Sequence, residues 1–295
     1  DETEFQVVKC RECGMVYLNP QPTPEEIAKY YPTNYAPYLS QGPFKPSQLL
    51  RMIEGVKLFL LKNYPKFSYR IKDIKRLIFK NQRKIKHESI SGSNFDEVSC
   101  LDFGCGSGRN MERLREEHPR WEISGLDNSI IACETASAKG FKVYCGNVDQ
   151  VNLPKESFDR VYMNSVIEHL HDPRLALQKV NSALKPGGKL RVMTPNISSI
   201  GARLFRQYWH ALDTPRHLYL FNQITLKTIL NETGFRVEKL EFKKGMSVEI
   251  KSIHTLINRK DRRMNPLVWK LSVPIGNVMA KFGQASTMIV SAEKI

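Results

Sequence analysis

Residues 100–110 read CLDFGCGSGRN. Gly104, Gly106 and Gly108 alternate directly behind an apolar run and the carboxylate of Asp102. Glycine lets a backbone turn sharply and approach a ligand closely, and a loop of this kind at a helix start frees amide N–H groups. A dinucleotide fingerprint would read G-x-G-x-x-G, but Arg109 stands where its last glycine belongs. Asp102, two residues ahead of Gly104, would repel a pyrophosphate and welcome a cationic ammonium. The loop therefore points to a zwitterionic nucleoside and weighs against a dinucleotide-dependent oxidoreductase.

Outward from this loop, short apolar runs alternate with helical patterns. VSCLDF, WEISGLD, FKVYCGN, DRVYMNSV and KLRVMTP read as strands, RVEKLEF follows a further helix, and STMIVSAEKI reads as the last strand. Between them lie MERLREEH, ended by Pro119, and IIACETASAK, capped by Ser129 and closed by Gly140. RLALQKVNSAL opens on Asp172-Pro173, and NQITLKTILNET is closed by Gly234. Such alternation predicts an α/β fold, a parallel sheet covered by helices on both faces. Residues 246–283 interrupt the rhythm before the last strand, with helical stretches broken by Pro266 and Pro274.

The domain reading is a knuckle and Pro/Tyr-rich arm over 1–44, a basic helical lid over 45–97, and a ligand-binding domain over 98–295 with its insertion at 246–283. The 295 residues, 41% of them hydrophobic, suffice for one large core with an appendage. No apolar run reaches the ~18–20 residues that span a bilayer. The acidic N-terminus lacks a signal peptide's features and a starting Met, which reads as a processed or truncated chain. Cys100, Cys105, Cys133 and Cys145 fall inside core segments, as expected of reduced thiols in a cytoplasmic protein. Of the net charge of +15, Lys45 to Ile90 supply +10, with 13 basic residues against three acidic.

LDFGCGSGRN resembles the first motif of class I S-adenosylmethionine-dependent methyltransferases, and four further motifs follow in order: GLDNS, CGNVDQVNLP, SFDRVYMNSVIEHLHDP and LKPGGKLRVMTPN. The resemblance covers about residues 98–245 plus the last strand. It implies a Rossmann-like, seven-stranded, doubly wound sheet whose last strand is antiparallel, preceded here by an N-terminal helical lid. It implies S-adenosylmethionine as cofactor and S-adenosylhomocysteine as product. By the same resemblance Gly104 and Gly106 admit the methionine and ribose, Asp102 acts through the loop, and Asp127 holds the ribose hydroxyls. Asn147 and Val148 flank the adenine, and Asn128, Asn164 and Cys105 lie on the cofactor side, with Cys105 a spectator.

Methyl transfer is an in-line displacement that needs alignment and, for an alcohol acceptor, removal of a proton. The candidate histidines are His169, His171, His210 and His217. His217 in DTPRHLYLF is favoured as the base, with Asp213, Arg216 and Tyr219 on the acceptor wall; His169 in VIEHL is the second candidate, with capping or orienting the next helix as its alternative role. No His/Asp/Glu cluster is expected to form a catalytic metal site. The reading is O-methylation of a small molecule, glycan or lipid-linked intermediate. N- or C-methylation, RNA methylation, and a non-catalytic binding protein of the same fold stay open.

Cys10 and Cys13 in CRECG supply two of the four ligands a zinc ion takes, so zinc is expected only if another pair exists upstream. In the basic segment, Ser47–Asn63 and Arg70–Lys86 read as helices, with Ile71, Ile74, Ile78 and Ile85 roughly on one face. They are expected to cover the acceptor mouth and to face an anionic acceptor or an anionic membrane surface. Nucleic acid is the weaker partner reading. The expected location is the cytoplasm, peripheral at most to the inner face of a membrane.

Overall fold

The computed structural model describes residues 5–31, 97–256 and 266–295. The chain divides into two compact units, 1–40 together with 97–295, and 41–96. The expected lid helices lie outside the described residues.

In the first unit the strands are β1 (Gln6–Lys9), β2 (Val16–Asn19), β3 (Ser99–Phe103), β4 (Glu122–Asp127), β5 (Lys142–Cys145) and β6 (Phe158–Asn164). They continue with β7 (Leu184–Pro195), β8 (Tyr219–Leu220), β9 (Phe235–Phe242) and β10 (Thr287–Lys294). The helices are α1 (Arg109–Glu117), α2 (Ile130–Ser137), α3 (Pro173–Ala183), α4 (Ile200–Phe205), α5 (Gln223–Glu232), α6 (Ser247–Leu256) and α7 (Pro266–Lys281).

The main sheet has the order β5-β4-β3-β6-β7-β10-β9. Its first five strands pair in parallel, and β10 runs antiparallel to both β7 and β9. From β3 the chain builds outward through β4 and β5, then returns to build the other way through β6 and β7. The reversal lies between β3 and β6, where open sheets of this type place their ligand.

Side chains alternate across the sheet. Leu101 and Phe103 join a core with Leu177 and Val180 of α3 and Leu226 and Leu230 of α5. Cys100 points to the other face, into a smaller cluster with Met111 and Leu114 of α1 and Ala136 of α2. Each fully buried large side chain contributes ~1.5–3 kcal/mol. Helix starts follow their local chemistry: Ser129 caps α2 through Ala132 N, Asp172 caps α3 through Leu175 N at 2.8 Å, and Asn222 with Thr225 forms a capping box on α5.

Two expectations are corrected. Pro266 opens α7, but Pro274 lies inside that helix and does not break it as the sequence suggested. Cys133 and Cys145 form a disulfide, because the first half of α2 packs beside the end of β5 with the two Cα atoms 5.9 Å apart. Cys10, Cys13, Cys100 and Cys105 are free. The N-terminal arm also adds a sheet of its own, on which the sequence reading made no statement: β1 and β2 form a hairpin, and β2 pairs with β8 through Val16–Leu220 and Tyr17–Tyr219. This pins residues 5–31 against the segment that follows β7.

Within the hairpin, the turn from Cys10 to Met15 closes through Cys10 N to Met15 O at 2.8 Å. Backbone N–H groups of Cys13 and Glu12 hold the Cys10 thiol below its usual range. Among the described residues no third metal-ligating side chain joins Cys10 and Cys13, and two thiols do not complete a tetrahedral zinc site. No helix among the described residues is long and apolar enough to cross a membrane.

Candidate active site

The carboxyl ends of β3, β4, β5 and β6 meet at the switch point. Gly104, Gly106 and Gly108 all take positive φ, and Gly104 N and Cys105 N donate to Leu126 O at 2.7 and 3.0 Å. The β3 loop is thereby fastened to the end of β4. A Cβ at Gly104 would overlap Val166, which follows β6, so glycine is required where these two loops meet.

Asp127, at the end of β4, is buried, its Oδ2 accepting from Gly106 N at 2.8 Å and its Oδ1 from Ser129 N at 3.0 Å. Burial pushes its carboxyl up, opposed by the amides of Ser129, Gly106 and Asn128. Asp102 lies beneath the loop, with Asn110 Nδ2 donating to its Oδ1 at 2.9 Å. Burial is the main reason its carboxyl is raised to about 7. Cys105 turns its side chain into the cluster with Met111 and Ala136, so only its backbone borders the loop. Asn128 and Asn147 are exposed, and Val148 packs against the main core. Asn164 ends β6 and accepts from Arg191 Nη1 at 3.3 Å. This glycine cradle, with a buried acid on either side, fits a nucleoside that carries an amino acid.

A second group of polar side chains follows β6, two residues beyond Val166. Ile167–His169 form a single 3-10 turn, and Leu218 N donates to Glu168 O at 2.8 Å, joining that turn to the segment containing His217. Glu168 is 1% exposed. Its Oε2 accepts from Thr194 Oγ1 at 3.0 Å, while its Oε1 is buried without a hydrogen-bond partner. Burial raises this carboxyl to about 7.

The rings of His169 and His217 meet edge to face with centroids 4.6 Å apart. His217 Nδ1 lies 2.8 Å from Ala211 O, and His169 Nδ1 lies 3.0 Å from Arg216 O. A carbonyl can only accept, so the hydrogen-bond network assigns the proton of each ring to Nδ1 and leaves the lone pair on Nε2. The Tyr31 hydroxyl, brought in by the N-terminal arm, lies 2.9 Å from His169 Nδ1 and shares that hydrogen. Burial lowers His169 to about 3 and lowers His217 as well, so both rings are neutral.

Asp213 is gripped by Arg216, Nε to Oδ2 at 3.0 Å and Nη2 to Oδ1 at 2.5 Å, and its Oδ2 lies 3.7 Å from His217 Nε2. Burial raises the Asp213 carboxyl, but Arg216 and the histidines outweigh it and the net shift is downward. Tyr219 OH donates to His171 O at 3.3 Å, and His171 Nε2 donates to Pro22 O at 2.9 Å, so both side chains also hold the arm and its neighbours in place.

The structure brings His169, given by the sequence only as an alternative to His217, together with His217, Asp213 and Arg216 in one cluster, and adds two residues the sequence reading did not place there. Glu168 was legible only as part of the EHL string. Tyr31 had no local signal, since it is 138 residues from its partner. The expectation that no His/Asp/Glu cluster resembles a metal site is overturned: one ligand atom from each of Glu168, His169 and His217 lies within 4.8 Å of the others.

Comparison with known proteins gives the same direction. The model of the methyltransferase domain family matches residues 66–240, more than half of the chain. The O-methyltransferase resE of Aspergillus sclerotiorum is 26% identical over 210 residues, 66% of this chain and 75% of that protein. A malonyl-[acyl-carrier protein] O-methyltransferase of Paenibacillus sp. (strain JDR-2) is 26% identical over 177 residues, 55% of this chain and 64% of that protein. A trans-aconitate 2-methyltransferase of Methylobacterium radiotolerans is 32% identical over 109 residues, 36% of this chain and 42% of that protein. The chain therefore spans less than two thirds of the second relative and under half of the third. Among solved structures, an S-adenosylmethionine-dependent methyltransferase from Mesorhizobium loti shares 20% identity, with a TM-score of 0.47 over 69% of this chain and 94% of that one. The family match, the strand order and the glycine cradle lead to one conclusion: the chain belongs to the methyltransferase domain family, as a class I S-adenosylmethionine-dependent enzyme.

Proposed function

We propose that the enzyme methylates an oxygen, that of a hydroxyl group on a small molecule, glycan or lipid-linked acceptor, and that this oxygen docks against His169 and His217. The observation that carries the reading is a pair of neutral imidazoles, His217 buried and His169 half-buried, each with Nδ1–H held by a backbone carbonyl, just beyond the point where Val166 abuts Gly104. Groups that present lone pairs select a hydrogen-bond donor. An ionised carboxylate offers none and would face Glu168 and Asp213, whereas a hydroxyl offers one. Two of the relatives are named as O-methyltransferases, which supports oxygen as the atom modified.

S-adenosylmethionine, when bound, supplies a methyl group on a positively charged sulfur. Asp127 holds the ribose end, with its orientation fixed by Gly106 N and Ser129 N. Gly104 and Gly106 let the backbone come close, and Asn147 and Val148 border the adenine side. His217 takes a hydrogen bond from the acceptor hydroxyl and is the group placed to receive its proton. Asp213, 3.7 Å from His217 Nε2, favours the charged ring, and Arg216 keeps Asp213 aimed. Tyr31 and the Arg216 carbonyl orient His169.

Replacing His217 by Ala should reduce turnover ~10²–10⁴-fold while donor affinity measured by calorimetry is unchanged. Undiminished turnover, or a parallel loss of donor binding, removes His217 from this role.

A further inference from the structure

We propose that Glu168, His169 and His217 also form a binding site for one divalent borderline metal cation, of which zinc is the probe. Three independent features of the cluster converge on a cation. One ligand atom from each residue lies within 4.8 Å of the other two. Both imidazoles donate Nδ1–H to backbone carbonyls, Ala211 O at 2.8 Å and Arg216 O at 3.0 Å. Metal-binding histidines are held in this way, because the outer hydrogen bond fixes the tautomer and turns the lone pair of the other nitrogen inward. Finally, Glu168 Oε1 is buried with no partner, while Oε2 is held by Thr194 Oγ1 at 3.0 Å. An unpaired buried carboxylate oxygen costs ~1–3 kcal/mol or more, and a cation relieves that cost directly.

The ligand set decides the class of cation. Two imidazoles and one carboxylate suit borderline ions of the zinc type, whereas magnesium prefers oxygen ligands and keeps its waters. Three protein ligands leave one position of a tetrahedral ion open, the arrangement of a site that receives a further ligand. Zinc bonds of ~2.0–2.2 Å place ligand atoms roughly 3.3 Å apart, so ligand atoms now within 4.8 Å of one another close by at most about 1.5 Å per pair on binding. Asp213, whose Oδ2 is 3.7 Å from His217 Nε2, adds negative charge at the rim. The inference rests on the proposed oxygen acceptor only in giving the open position to that oxygen. His217 Nε2 cannot ligate a cation and take a proton at once, so His217 is the proton acceptor only in the metal-free enzyme; in the cation-bound form the charge of the ion would acidify the hydroxyl on the open position, and its proton would leave to solvent.

Calorimetric titration of zinc into chelator-treated full-length protein tests this without any turnover assay. To separate the knuckle thiols, the titration is run on the wild type and on the C10S/C13S double variant. The expected result is one zinc per chain in both, with magnesium much weaker. Thr194→Val, which removes the partner of Glu168 Oε2, should lower zinc affinity ~10–100-fold, and Glu168→Gln and His217→Asn should lower it at least that far. Near-ultraviolet dichroism checks that each variant is folded, and either of the last two suffices where the other is not. No zinc binding, binding lost in C10S/C13S, or affinity unchanged in folded Glu168→Gln and His217→Asn overturns the proposal. If zinc does not bind while His217→Ala still loses turnover, the oxygen-acceptor reading stands and only the cation falls.

Discussion

Replacing Gly104 by Ala perturbs a close contact between the loop after β3 and the loop after β6. Two effects add. Gly104 has φ of +74°, and a side chain in the left-handed region costs ~1–2 kcal/mol. The new Cβ would also overlap Cγ2 of Val166 and crowd Cγ1, so the Val166 side chain or one of the two loops must move. Gly140 isolates the first effect: its φ is +83°, and a Cβ there meets nothing within 4 Å. Gly140→Ala should therefore cost ~1–2 kcal/mol, and Gly104→Ala more, by the ~0.5–3 kcal/mol typical of coupled neighbours. At ~2–4 °C per kcal/mol for a domain of this size, thermal melts resolve the difference. Adding Val166→Ala to Gly104→Ala should recover the clash component, and donor affinity should fall in the single variant and return in the double. Equal costs at Gly104 and Gly140, or no recovery with Val166→Ala, would refute the reasoning.

Three other outcomes follow from the same geometry. Asp127→Ala removes a buried acceptor of two backbone amides and should weaken S-adenosylmethionine binding roughly ten- to a hundredfold by calorimetry, ~1.5–3 kcal/mol; an unchanged affinity counts against its ribose role. Asp102 has a carboxyl raised to about 7 from 3.8, so the folded state keeps a proton that the unfolded chain has lost. The stability this confers is full below pH ~4 and is lost as pH rises through 7, by at most ~4 kcal/mol, and urea melts of Asp102→Asn should lack that slope. Tyr31→Phe deletes the hydroxyl 2.9 Å from His169 Nδ1 and should cost ~0.5–1.5 kcal/mol in stability and lower turnover with little change in donor affinity, whereas a fall in donor affinity alone would show that the arm acts elsewhere.

Much of the donor half of the site was legible because it is local. Alternating glycines, an acid at the end of the next strand, and helix starts such as Ser129 and Asp172 act within a few residues of one another. The acceptor half is not local. Glu168 finds Thr194 26 residues later, and Tyr31 finds His169 only because β2 pairs with β8. That pairing involves a two-residue strand, too short for any period to reveal. The Cys133–Cys145 bridge was hidden for a related reason: cysteine inside an apolar pattern reads as core, while Cys145 sits at an exposed strand end. The histidines were found as residue types, but their tautomers, and with them the metal-like arrangement, depend on carbonyls contributed by a loop with no regular pattern.

The account stands or falls on where the methyl group goes. Supplying donor labelled with carbon-13 in the methyl group, together with a metabolite and glycan extract, to the wild type and to His217→Asn gives the most direct test. The labelled methyl carbon should appear bonded to oxygen with the wild type, and His217→Asn should bind the donor equally well yet transfer little of it. Label on nitrogen or carbon, or undiminished transfer by the variant, would contradict it.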